Sequence, residues 1–93
     1  MNPILLPWKK INAKGIAERY SRTNIINGND NFVYCVRHLK LTDNLDLNYY
    51  SSFTGKYYKT LKNCMKTTDD LLVGMGCILA KSKEHAERLM ILL

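Results

Sequence analysis

Between Asp46 and Asp69 the chain carries no acidic residue, and its apolar and basic positions there separate with a period near that of a helix. Wound at about 100° per residue, Tyr50, Phe53, Tyr57, Leu61, Cys64 and Met65 share one side, while Lys56, Lys59, Lys62 and Lys66 share the other. This spacing predicts an amphipathic helix over 46–66 with an aromatic inner face and a lysine ridge outside. Thr42-Asp43-Asn44 offers its cap. Asp43 and Asp46 at its start, and Lys62 and Lys66 at its end, complement the helix dipole. A rival reading makes Thr54-Gly55 a turn between strands at 47–53 and 57–61. The sustained 3.6 period favours the helix.

Thr67-Thr68-Asp69-Asp70 reads as a second helix start, a hydroxyl cap followed by acids. Beyond it Leu72, Leu79, Ala86 and Leu93 recur every seven residues, with Met75 and Met90 beside them. One long helix here, joined to the first by a short connection, predicts an antiparallel helical hairpin from about 43 to 93. The other reading takes Leu71 to Ala80 as a buried strand and lets Ser82 cap a helix from Lys83. Gly74 and Gly76, poor helix residues, favour it.

The N-terminal half is less periodic. Pro3 and Pro7 bracket Ile4-Leu5-Leu6, which suggests that residues 1–8 form an extended arm lying across the domain. Asn12 to Arg22 reads as a short helix with Ile11, Ile16, Ala17 and Tyr20 on one face and Asn12 as its cap. Asn27-Gly28-Asn29-Asp30-Asn31 is the clearest turn; its flanks alternate poorly, so a plain loop is expected in preference to a hairpin. Phe32 to Leu41 fits either a strand or a helical stripe of Phe32, Cys35, Val36 and Leu39, and is read as helix. The expectation is a single all-α domain over 1–93, small and helical with a C-terminal helical hairpin. The alternative is α+β with strands near 32–41 and 71–80.

Composition narrows the function classes. At 93 residues and 46% hydrophobic content the chain holds one modest core, which oligomerisation would supplement. A formal charge of +6 favours nucleic acid or another polyanionic partner, such as an acidic protein surface. Ten lysines against four arginines lean toward phosphate contact, because lysine acts as a point charge whereas arginine reads guanine bidentately. Cys35, Cys64 and Cys77 cannot all pair internally and lack C-x-x-C spacing, so reduced thiols in a cytoplasmic setting are expected. The start of the chain lacks a secretory pattern, and the apolar run Leu71–Ala80 is too short to span a bilayer, so no membrane association is expected.

No catalytic constellation emerges. His38 has no acid at helical spacing, and His85 sits in the charged run Lys83-Glu84-His85-Ala86-Glu87-Arg88 with Cys77 eight residues back, a weak metal pair. Gly74-x-Gly76 lacks the third glycine and following acid of a dinucleotide fingerprint. Neither a metal nor a cofactor is implied, and the chain reads as non-enzymatic. Residues 15–26 have the flavour of a helix-turn-helix that would aim Arg22, Thr23 and Asn24 at base edges, but the turn lacks its glycine, and Asn27-Gly28 cuts the second helix short.

The leading expectation is therefore a small basic binding module. It contacts nucleic acid or another polyanion through Lys56, Lys59, Lys62 and Lys66, assisted by Arg19, Arg22 and Tyr49. Tyr50 and Tyr57 are expected in the core, with Tyr49 and Tyr58 nearer the surface. The alternative is a phage- or virus-type inhibitor or adaptor touching a host protein, or a second copy of itself, through Trp8, Met90, Ile91 and Leu92. The last five residues are apolar on every side of a helix, more than one monomer face can bury.

Overall fold

The computed structural model describes residues 2–11, 18–37 and 48–92, with only the backbone of 29–32. It is not all-α. A curled, mixed sheet of seven strands carries two helices. The strands are β1 (Ile4–Leu5), β2 (Lys9–Ile11), β3 (Arg19–Asn24), β4 (Asn29–Arg37), β5 (Tyr49–Ser51), β6 (Tyr57–Tyr58) and β7 (Ile78–Leu79). The helices are α1 (Leu61–Gly74), between β6 and β7, and α2 (Lys83–Leu92) at the end. The order across the sheet is β6-β5-β4-β3-β1-β7, and β2 also pairs with β3. Among the described strands the β1–β7 pairing alone is parallel.

The segment expected as an arm supplies an inner strand. Ile4 and Leu5 are fully buried because successive strand residues point to opposite faces and each face here carries a helix. Leu5 packs with Val33 and with Leu72 of α1, and Ile4 with Ala80 and with Ala86 of α2. Burying each side chain contributes roughly 1.5–3 kcal/mol. Pro7, which has no N–H to give a ladder, separates β1 from β2.

The 46–66 helix is replaced by a hairpin and a later helix start. Tyr49–Ser51 pairs antiparallel with Tyr57–Tyr58, setting Tyr49 opposite Tyr58 and Tyr50 opposite Tyr57. The connecting turn needs Gly55 at φ +70°, a value closed to a helical residue. Ser51 Oγ accepts the Phe53 and Thr54 N–H groups at 3.3 and 3.2 Å, organising the turn from within. Aromatic residues suit the pleated surface, so strand pairing outweighed a helical period that arose from spacing alone. Thr42-Asp43-Asn44, the expected cap, lies outside the described residues. The cap used is Thr60, whose Oγ1 accepts the Asn63 N–H at 3.2 Å.

Thr67-Thr68-Asp69-Asp70, expected to start a helix, sits inside α1. The Thr68 hydroxyl, fully buried, donates back to the Cys64 carbonyl at 2.7 Å. The long second helix does not form either. Gly76 adopts φ +93°, and Cys77 N–H and Gly76 N–H bond to the Leu72 and Val73 carbonyls at 3.0 Å each, a Schellman closure. The chain then enters β7, so of the alternative strand at 71–80 only Ile78–Leu79 is strand. Ser82 caps α2 by accepting the His85 N–H at 3.0 Å.

Two further expectations change. Residues 19–22 of the expected Asn12–Arg22 helix are strand β3, which also removes the helix-turn-helix reading; residues 12–17 lie outside the described residues. Residues 25–28 turn the chain between β3 and β4, which pair antiparallel, so a hairpin forms where a plain loop was expected. Of the stripe at 32–41, residues 32–37 are strand and 38–41, including His38, lie outside the described residues.

Candidate nucleic-acid interface

The sheet wraps around α1, which packs against β4, β5, β6 and β7. Strand alternation then assigns each side chain to the inner, α1-facing side or to the outer side. On the inner side Tyr20, Cys35 and Ser51 form one cross-strand row. Cys35 Sγ lies 3.9 Å from Thr68 Oγ1 of α1. Since the Thr68 hydroxyl gives its proton to Cys64, the Ser51 hydroxyl donates to Thr68 Oγ1 at 2.7 Å. Hydrogen-bonding influence from the neighbouring free Cys35 thiol, and then burial, push the Cys64 thiol up, while the same influence lowers Cys35.

Beside this row stands a charged clamp. Arg22 Nε and Nη2 reach Asp69 Oδ1 and Oδ2 at 2.8 and 3.1 Å, the planar two-point geometry that suits a carboxylate. Arg22 Nη1 donates to the Leu6 carbonyl at 2.9 Å, and its guanidinium lies 5.3 Å from the centre of the Trp8 ring. Trp8 Nε1 also donates to Asp69, at 3.1 Å from each oxygen. Arg22 is therefore consumed by folding, with 8% of its surface exposed, and Trp8 packs against Leu5, Val33 and Leu72. Thr23 and Asn24, assigned to base edges in the helix-turn-helix reading, are buried in β3.

The clamp holds α1 with its outer face in solvent. Lys62 and Lys66 lie one turn apart on that face, about 6 Å along the axis, and both are exposed. Lys56 and Lys59 are also exposed but lie off the helix, bracketing the edge strand β6. The single helical ridge is thus a corner of four lysines around β6 and α1. Ion pairs among the described residues are Lys10–Glu18 at 3.8 Å and Arg22–Asp69 at 2.8 Å, and neither uses these four. Behind Lys56, Thr54, Tyr58, Thr67, Asp70 and Leu71 line an open pocket of about 420 Å³.

The remaining expected residues separate. Tyr49, half-buried, lies in the inner row with Arg37 and Tyr58, so it does not share a face with Tyr50 and Tyr57. Arg19 lies on the outer side, 4.3 Å above the Tyr34 ring. Met90 (40%), Ile91 (84%) and Leu92 (79%) are exposed on α2. Tyr50 and Tyr57, expected in the core, lie instead on the outer side with Tyr34, where Tyr57 is exposed and the other two are half-buried; no apolar–polar alternation in 32–37 or 49–51 marks these faces in the sequence. His85 Nδ1 accepts the Lys81 N–H at 3.0 Å, which occupies that nitrogen in folding. No group of three metal-ligating side chains occurs among the described residues, and none of their helices is long and apolar enough to cross a membrane. Compared with protein-family models, curated proteins and solved structures, the chain finds no match.

Proposed function

We propose that this chain is a non-enzymatic module that binds nucleic acid or another polyanion through Lys56, Lys59, Lys62 and Lys66. The observation that carries the reading is four exposed ammonium groups at one corner of the fold, outside both ion pairs found among the described residues. A lysine stripe whose only task is to keep a helix wet is commonly laced with acids at i±4. Here the one described acid at that spacing, Asp70, makes no ion pair with Lys66. Four phosphate contacts predict that log K falls against log salt with a slope of about −3 to −4 on duplex DNA. In Lys62→Glu/Lys66→Glu the slope drops by about two and affinity for heparin or a labelled duplex falls. Equal retention of this variant and wild type on heparin refutes the reading.

A second reading, an adaptor or inhibitor acting by protein contact, is favoured by the apolar exposure at the helix ends. Ile91 and Leu92 at the end of α2 are 84% and 79% exposed, and Met75 at the end of α1 is 68% exposed, so each leaves a large apolar side chain in solvent. Ile91→Lys/Leu92→Lys then leaves stability within about 0.5 kcal/mol, because no buried contact is lost, and abolishes self-association in sedimentation. A wild-type protein that sediments as a monomer at high concentration and captures no partner removes this reading.

A further inference from the structure

The outer side of the sheet divides in two. At the β1–β7 end α2 covers it, packing Ala86 and Leu89 on Ile4, Ile25 and Ile78. Across β3 to β6 no described helix covers it. There the register lines up Arg19, Val36, Tyr50 and Tyr57 as one continuous row across four strands. Beside it Lys9, Ser21 and Tyr34 form a second row. Tyr50 and Tyr57 rings meet with centroids 5.0 Å apart and planes tilted by 50°, and Tyr57 is 42% exposed. The Arg19 guanidinium carbon lies over the Tyr34 ring, 4.3 Å from its centre, so a cation bridges the two rows.

Two polar groups on this face remain unsatisfied. Arg19 Nε and Ser21 Oγ are buried and have no hydrogen-bond partner. Unpaired buried polar groups are rare in folded chains and mark this part of the sheet as unusual. Lys9 stands exposed at the end of the second row, and no acidic side chain among those described on these strands faces this side. Rings, cations and the lack of acids among the described side chains of these strands on this side together match an anionic chain bearing flat π-faces. They match a protein helix poorly, because the row offers no apolar groove.

We propose that this outer face is a stacking platform for single-stranded nucleic acid. Unpaired bases lie on Tyr34, Tyr50 and Tyr57, and phosphates pass Lys9 and Arg19 on one side. On the other side the strand crosses the β6 edge, where Lys56 and Lys59 flank Tyr57. A duplex cannot use the rings, since its bases are stacked on one another, so the platform selects single strands. The inference rests on the polyanion reading and narrows its partner to a strand with exposed bases.

The test titrates a fluorescein-labelled oligothymidylate by anisotropy against wild type, Tyr50→Leu/Tyr57→Leu and Tyr50→Phe/Tyr57→Phe, with heparin retention run in parallel. Base–aromatic stacking is worth about 1–3 kcal/mol per base, which is roughly 5-fold to 150-fold in affinity per ring. The leucine pair is expected to lose at least about 20-fold on this scale, while the phenylalanine pair, which keeps the rings, stays close to wild type and heparin retention is unchanged in both. A leucine pair that keeps wild-type affinity, or a phenylalanine pair that loses as much as the leucine pair, overturns the platform. Crosslinking of a 5-iodouracil-substituted strand to wild-type protein gives a readout that needs no variant to fold. Adducts on Tyr34, Tyr50 or Tyr57 support the platform, and adducts confined to other residues overturn it. Wild type held by heparin but not binding oligothymidylate overturns this inference alone; wild type binding neither removes the polyanion reading with it.

Discussion

Replacing Asp69 by asparagine tests how α1 is fixed to the sheet. The substitution is nearly isosteric, so the packing of α1 is preserved and the perturbation is electrostatic. In the native chain Arg22 is paired two-point with Asp69, with 9% and 23% of the two side chains exposed. Without the carboxylate the guanidinium stays buried against Trp8 and the Leu6 carbonyl with no counter-charge. Removing one partner of a buried pair costs about 3–5 kcal/mol, and the partial exposure of Asp69 places this site near the lower end, about 3 kcal/mol. For a domain of this size that lowers Tm by about 12–24 °C. Trp8 is the only tryptophan, and its indole donates to the same carboxylate, so its emission reports the site directly. Urea unfolding followed by Trp8 fluorescence and by helix ellipticity gives the loss with two probes. The decisive comparison is Arg22→Met/Asp69→Leu, which removes both charges and should recover most of the stability lost by Asp69→Asn. If Asp69→Asn costs less than about 1 kcal/mol, or the double variant is as unstable as the sum of its parts, the clamp is not what holds α1.

Two further outcomes follow from the geometry. Gly55→Ala should destabilise by roughly 1–2 kcal/mol in urea, because a Cβ there meets no atom within 4 Å and the whole cost is the left-handed backbone at φ +70°. An unchanged midpoint would show that the β5–β6 turn is not required as described. Thiol labelling of the native protein should modify Cys77 first, since Cys35 and Cys64 are fully buried and Cys77 only half-buried. Burial raises the Cys77 thiol above its ordinary range, so its labelling rate should keep climbing at pH values where an exposed thiol has levelled off. Modification of Cys35 or Cys64 as fast as Cys77 would contradict the buried row.

The residues themselves determined the basic balance, the run of lysines in 56–66 and the cap of α2 at Ser82. These depend on composition or on contacts within a few residues. Tertiary structure alone decided that Tyr49–Tyr58 is a hairpin. Its aromatic residues do not by themselves choose between a 3.6 period and a pleated strand, and pairing with β4 on one side and β6 on the other gives β5 its ladder partners. Arg22 shows the same limit from the opposite side. Nothing adjacent to it distinguishes a phosphate contact from an ion pair, because its partner Asp69 lies 47 positions away. The faces of the tyrosines were hidden for this reason too. A ring's direction depends on whether its backbone is coiled or pleated, and long-range pairing made that choice.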